Sequence, residues 1–548
     1  MSYFTATSDG GTFYFYSSYN QSRIPSGGVF TSLEYSVDGG AWENLSIYRT
    51  FNAPIEVGST LQLRGTGNTM IPFDFAFSSL DASAQTSAIG RHDIHLSGDI
   101  SSLLDYRVNY STIEVGEKAF YSLLSCGYSK YTSIKDISNL RFPYGVNTRC
   151  YSMLFAGQQF LDSIDTSMFT YGYYSNTAPY CYEEMFRECA ITNVPALPAA
   201  VLADSCYAGM FKNCTSLTSI PSKLLPAITL DSNCYKEMFY GCTNIINTPN
   251  LPAKTLAYGC YRNMFTDCSS LTSAPTTLPA LTLPNYCYAG MFLNCSSLTT
   301  MPNMTAATEA GEQSCSGMFR NCTSLTQVSD INITKISTAS FSGMFMNCTS
   351  LTEMPRLATV TEVKSDEHNL RYASSGYQQM FRDCTSLTTV NSFPFSYYVD
   401  YQNAGANYCF QQMFYGCENL ETVLPTIKLD LDTFSGTDIF KDMFTNCSKL
   451  KFSTTKTDKY TKKFRLEKTN SSISYSMISG TGGTYTGDIS VNNTYYIWGE
   501  ESTYKAFIGV NNIPKEVTKI YVGVNGIPKE VTKIYVGVNG IPREVYSS

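Results

Sequence analysis

The sequence predicts an α+β chain in which a solenoid of short repeats is flanked by an N-terminal all-β domain and a C-terminal β-repeat module. Three observations carry this expectation. A nine-residue motif, seen as CYAGMFLNC at Cys287–Cys295, recurs through the middle of the chain. Before it, residues 1–90 alternate in short runs such as TFYFYSS and LEYSVDGG. After it, a 14-residue unit, KIYVGVNGIPKEVT, is repeated at the C-terminal end.

The first element, residues 1–90, reads as a small β-sandwich-like domain. Val37-Asp38-Gly39-Gly40 is a hairpin-turn signal between alternating runs.

The solenoid is expected over 91–450. CYEEMFREC begins at Cys181, CYAGMFKNC at Cys206, CYKEMFYGC at Cys234, CYRNMFTDC at Cys260 and CYAGMFLNC at Cys287. A shortened CSGMFRNC follows at Cys315, and the first cysteine then fades. From Phe186 to Phe345 the steps are 25, 28, 26, 27, 27 and 26 residues; later steps lengthen to 36, 33 and 30. Periods in this range mark units that bury their apolar faces only against their neighbours. In the unit from Cys206 to Leu230, Cys206, Met210 and Cys214 fall at i, i+4 and i+8, with Tyr207 and Phe211 beside them. That spacing predicts two helical turns with a broad buried face. Leu217 and Ile220 suit a short strand ended by Pro221. Strand, crossover and helix at this period is the leucine-rich-repeat plan.

The expected structural ladder is therefore Cys181, Met185, Phe186 and Cys189; Cys206, Met210, Phe211 and Cys214; Cys234, Met238, Phe239 and Cys242; Cys260, Met264, Phe265 and Cys268; and Cys287, Met291, Phe292 and Cys295.

Residues 451–505, with TGGTYTGDISVNNTYYIWG, read as a β-rich bridge. Residues 506–548 hold three 14-residue repeats, each expected to form a β-hairpin, with Asn525-Gly526 and Asn539-Gly540 as turns.

The unit MFxxCxSLTxxPxLPAxxLxxxCYxx resembles the BspA-like leucine-rich repeats of Bacteroides and of phages that infect gut bacteria. GDISSLLDYRVNY (Gly98–Tyr110) is similar to the lead-in of such proteins, and Ser32–Asn68 to their N-terminal module. The YVGVNG repeats resemble those at the ends of phage structural proteins. The resemblance implies surface-exposed binding or adhesion, and assembly through the C-terminal repeats.

Composition points the same way. Of 548 residues, 43 % are apolar and 15 % charged, which does not fit a disordered chain. The net charge of −7, without a basic stripe, argues against nucleic acid as a partner. No stretch approaches the ~20 apolar residues of a membrane span. The opening MSYFTATSDGGTFYFYSS has neither a basic nor a long apolar segment, so the expectation is synthesis in a host cytoplasm without a secretion signal.

The 19 cysteines are an odd number. On a helix, Cys287 and Cys295 stand about 12 Å apart, beyond the ~7 Å a disulfide allows. Neighbouring helices would lie about 8–10 Å apart. Buried free thiols are thus expected, against a disulfide ladder or a metal site. Cys126 alone is out of register. His92 and His95 are odd-spaced and would face opposite ways on a strand; His368 stands alone. There is no GxSxG, GxGxxG or P-loop, and GTGGTYTG at Gly480–Gly487 reads as a turn. Glycan cleavage would need two facing acids; Glu183 with Glu184, and Asp430 with Asp432, read as solvated pairs. Asn213, Asn294, Asn321, Asn347 and Asn446 head formal sequons, yet their repeat position suits asparagine in left-handed backbone at a helix end.

The functional expectation is a non-enzymatic phage virion protein, a fibre or appendage subunit without cofactor or metal. Its expected partners are other virion proteins, copies of itself (a homo-oligomer, for which a trimer suits a fibre), and a bacterial surface protein or glycan. The alternatives are a bacterial cell-surface adhesin and a phage-borne glycan depolymerase.

Overall fold

The computed structural model describes residues 3–9, 12–19, 25–45, 51–78, 93–108, 113, 115–125, 134–169, 176–363, 365–366, 369–372, 375–394, 408–423, 427–430, 438–453, 462–467, 476–483 and 494–497, together with 506–510, 513–517, 521–524, 527–530, 533–538 and 541–547.

The α+β expectation is overturned. Strands, turns and irregular segments make up nearly all of the described backbone, and among the described residues the only α-helix is α1, the four residues Ser102–Asp105. The MF segments, read as helices, are runs of consecutive turns. The helix-and-strand plan of a leucine-rich repeat therefore does not describe this chain.

The N-terminal strands are β1 (Phe4–Ser8), β2 (Phe13–Tyr19), β3 (Ser32–Val37), β4 (Glu43–Asn44), β5 (Phe51–Ile55), β6 (Leu61–Thr66), β7 (Phe73–Ser78), β8 (Ile94–Asp99) and β9 (Ile134–Arg141). They form a six-stranded sheet, β4-β3-β6-β1-β8-β9, and a three-stranded sheet, β5-β2-β7. Alternation drives the layering: Phe4, Leu61 and Leu63 of one sheet and Phe13, Phe15, Phe75 and Phe77 of the other are buried. Phe77 packs on Phe4 and Phe13 at 6.4 Å between ring centroids. Asp38 and Gly39 both take positive φ in the β3–β4 turn, whose right-handed twist suits a hairpin. The sheet runs past residue 90, since β8 and β9 pair in parallel within it.

The repeats stack as rungs. In the rung at Ser205–Cys214, the N–H groups of Cys206, Ala208, Met210, Lys212 and Cys214 each donate three residues back, at 3.0–3.3 Å. The alternate N–H groups, of Ser205, Tyr207, Gly209, Phe211 and Asn213, donate to Ser232, Cys234, Lys236, Met238 and Tyr240 of the next rung at 2.7–3.0 Å. A helix would satisfy all these groups within one segment. Here half of them need the neighbour, so a lone rung leaves donors unpaired.

Left-handed backbone every fourth residue produces this ribbon: φ is +54° at Ser205, +62° at Gly209 and +59° at Asn213. The same triple recurs at Asn233, Glu237 and Gly241 and at Tyr286, Gly290 and Asn294. Each non-glycine in this region costs on the order of 1–2 kcal/mol, offset by the bonds and burial of the stack.

The rest of each rung runs through short parallel bridges. β10 (Thr282–Leu283), β11 (Glu309–Ala310), β12 (Lys335–Ile336) and β13 (Glu362–Val363) form one ladder, and Asn247↔Ser273 and Thr300↔Gln327 mark a second. The sandwich closes the N-terminal end of the stack: Ile71 and Phe75 donate to Ala119 and Leu123 of the first rung at 2.9 and 2.8 Å. At the other end, Phe444 and Asn446 donate to Met477 and Ser479.

Beyond the rungs, Ile427–Asp430, Lys462–Glu467, Thr494–Ile497, Lys451–Ser453 and Gly482–Gly483 form a mixed five-stranded sheet. Three antiparallel hairpins follow: Ala506–Val510 with Ile513–Val517, Tyr521–Val524 with Ile527–Glu530, and Lys533–Val538 with Ile541–Ser547. The expected turn residues Asn525, Gly526, Asn539 and Gly540 lie outside the described residues.

Candidate functional site: the faces of the repeat stack

The ladder residues line the interior. Cys181, Met185, Phe186, Cys189, Cys206, Met210, Phe211, Cys214, Cys234, Met238, Phe239, Cys242, Cys260, Met264, Phe265, Cys268, Cys287, Met291, Phe292 and Cys295 are all essentially without solvent exposure. Phe155, Phe186, Phe211 and Phe239 stack in a column with centroids 5.5–5.9 Å apart. It continues through Phe381, Phe414 and Phe444 at 5.5 Å. A second column runs from Phe120 through Tyr151, Tyr182 and Tyr207 to Tyr288. It resumes at Phe341, Tyr377 and Phe410. Between them Cys315 takes the tyrosine's place and Ser314 the first cysteine's, since the Tyr288 N–H bonds Ser314 as that of Tyr207 bonds Cys234. The unit at Cys315 is thus substituted rather than shortened. The hydroxyls of Tyr288 and Ser314 are buried without a hydrogen-bond partner among the described residues.

Every described cysteine is a buried free thiol; Cys126 lies outside the described residues. The distance argument against inter-repeat disulfides is corrected, because rungs follow one another at strand spacing, about 4.8 Å, not at helix spacing. The second cysteine of each unit has a different constraint. Cys214 Sγ donates to the Phe186 carbonyl at 2.9 Å, Cys242 to Phe211 at 3.0 Å and Cys295 to Phe265 at 3.1 Å. Cys322, Cys348, Cys384, Cys417 and Cys447 repeat the contact. This bond requires the protonated thiol. Burial pushes Cys242 and Cys384 up to about 12, and Cys214 and Cys295 well above the ordinary thiol value. Such thiols are poor nucleophiles.

Among the described residues the candidate acids and ligands do not assemble. Glu183 accepts from Arg149 at 2.7 Å and Glu184 from Arg187 at 2.6 Å. Both are half-buried on a turn ribbon, not exposed on a helix face as expected. Burial first, and the neighbouring Glu184 carboxylate, raise the pKa of Glu183 against the pull of Arg149. Asp430 lies opposite Glu467 in a parallel pair, while Asp432 lies outside the described residues. His95 Nδ1 is 3.2 Å from Asp136 and its Nε2 3.6 Å from Asp9; His92 and His368 lie outside the described residues. Among the described residues no three or more His, Cys, Asp or Glu side chains are grouped to hold a metal. Gly480 has a φ of +72° in the last rung, Gly482–Gly483 is a strand, and 484–487 lie outside the described residues.

Sequence reasoning missed the outer columns. At the third left-handed position Asn294 donates to Asp267, Asn321 to Asn294 and Asn347 to Asn321, at 2.6–3.0 Å. With Asn213 and Asn446 these asparagines have φ of +59° to +63°, so the left-handed backbone is as expected while the helix end is not. On the flank carrying the SLT triplets, Thr272, Thr299, Thr326, Thr352 and Thr388 are exposed. The Thr272 hydroxyl donates to Ile246 in the preceding rung at 3.1 Å, Thr299 to Thr272 at 3.4 Å and Thr388 to Thr352 at 3.4 Å. Beside them runs a half-buried rank in which Ser296 donates to Ser269, Thr323 to Ser296 and Thr349 to Thr323. The signal for this column is the SLT triplet that recurs after each MF segment.

No family model matches the chain, and no curated protein matches it. Among the described residues, no helix is long and apolar enough to cross a membrane.

Proposed function

We propose that the protein is a non-enzymatic bacteriophage virion component, a fibre or appendage subunit that uses the outer face of its repeat stack to bind a bacterial surface ligand or a neighbouring virion subunit. The observation that carries this reading is the stack itself. Its interior is filled by aromatic, methionine and cysteine columns, and its SLT flank repeats serine and threonine from rung to rung. A rigid scaffold of this kind presents an extended surface at little ordering cost on binding.

The resemblance of the repeat motif to BspA-like sequences, and of the YVGVNG units to phage structural proteins, favours a surface-exposed assembly, and we assign attachment to the particle to the three C-terminal hairpins. The thiols support a packing role, since each second cysteine is committed to a backbone carbonyl.

Immunogold labelling of purified virions with antibody against the full chain tests this reading. Labelled particles are expected. Label on the bacterial envelope and none on particles would replace it with the adhesin reading. Release of oligosaccharides from host capsule by the purified protein would overturn the non-enzymatic part.

A further inference from the structure

The threonine flank is unusual for a protein surface. Exposed positions ordinarily carry many Lys, Glu, Asp and Arg. At the outward positions beside each SLT leucine, in 269–273, 296–300, 323–327, 349–353 and 385–389, the residues are serine, threonine and Gln327, with Glu353 the one charge; Asp330 and Arg356 follow at the edge of the face. Strand preference explains threonine over leucine. It does not explain the missing charge, because another parallel ladder of the same stack carries Glu309, Lys335 and Glu362 on successive bridged strands. Alternating charge is therefore compatible with this spacing, and one flank lacks it.

The hydroxyl geometry adds a direction. Each threonine hydroxyl of the column that bonds backwards gives its proton to the preceding rung, so its remaining lone pairs are acceptors. Each of these exposed threonines also carries a methyl group, and Ile246, 54 % exposed, occupies the preceding place in the same column, its carbonyl accepting from Thr272. The face is bounded at its far end by charge, where Lys449 lies 3.6 Å from Glu421. It spans five rungs, roughly 20 Å at strand spacing.

Acceptors and methyls, uncharged and repeated along one axis, complement a polymer that offers hydroxyl donors and C–H faces at regular intervals. We propose that this flank is a docking surface for a neutral, linear polysaccharide lying along the stack axis. The inference deepens the binding role proposed above and rests on it.

The test is retention of the full-length protein on insoluble β-1,4-glucan, β-1,3-glucan and α-mannan, with polygalacturonate as the acidic comparison. Retention on at least one neutral polymer and none on polygalacturonate is expected. The double variant T299V/T326V keeps the branched shape and removes two hydroxyls; its affinity should fall tenfold or more with an unchanged melting temperature. Thr334→Val, next to Lys335 of the charged ladder, should leave affinity unaltered. If T299V/T326V unfolds, Thr326→Glu, which puts charge on the face, replaces it and should abolish retention. Retention untouched by the face variants, retention on polygalacturonate alone, no retention on any polymer, or binding only to a protease-sensitive host component would each overturn the inference. Labelled virions combined with any of these results would leave the virion assignment standing.

Discussion

Asn321 shows what one residue does in this chain. Its φ of +63° is a conformation few side chains tolerate, and its amide both donates to Asn294 and accepts from Asn347. Asn321→Ala should lower stability by about 1–3 kcal/mol, from backbone strain and two lost hydrogen bonds. Asn321→Gly should cost less, because glycine relieves the strain. Urea titration of both variants checks the order. The thiols supply a pH prediction. Burial raises Cys206, Cys242 and Cys260 to about 12 from an ordinary value of 9.0. Above pH 9 the unfolded chain releases protons that the folded chain keeps. Their contribution is complete below pH 9 and is lost as pH climbs towards 12, at about 1.4 kcal/mol per pH unit for each thiol. Melting temperatures between pH 8 and 10.5 should fall steeply, and a flat profile would contradict the buried ladder.

At the scale of the element, the turn ribbon explains what the sequence revealed and what it hid. Apolar residues at i, i+4 and i+8 suit a helix of 3.6 residues per turn, but over nine residues they equally suit a ribbon that repeats every four. The buried set Cys206, Met210 and Cys214 was therefore legible while its backbone was not. The discriminating signal lay in Gly209, Gly290, Gly317 and Gly343 at mid-segment and in Asn, Asp or Gly at the close, residues poor for a helix and apt for positive φ. The N-terminal alternation was easier to read because period two has no competitor of similar spacing. A far-UV circular dichroism spectrum without helical minima is expected. Gly241→Ala should be strongly destabilising, since a Cβ there would stand 2.1 Å from Asn213 Oδ1 at a φ of +71°.

For the whole molecule, neighbour-only bonding makes the stack a one-dimensional object. Removing residues 293–319 takes out one 27-residue period and rejoins Phe292 to Arg320 in register. The excised protein should fold and melt at or above the parent temperature, because the deletion brings Tyr288 onto Phe341. A melting temperature more than about 5 °C lower would argue against independent rungs.

The interruption at Cys315 also has a mechanical meaning. The tyrosine column ends at Tyr288 and resumes at Phe341, and the two partnerless hydroxyls lie at that break. The phenylalanine column passes through it unbroken, by way of Phe292, Phe319 and Phe345. With the backbone ladder complete at this rung and one of two aromatic columns missing, tension applied between the ends is expected to open the stack beside Cys315; single-molecule pulling that ruptures another rung first would contradict this. A subunit anchored at one end and tethered to a cell at the other would then carry its own fuse.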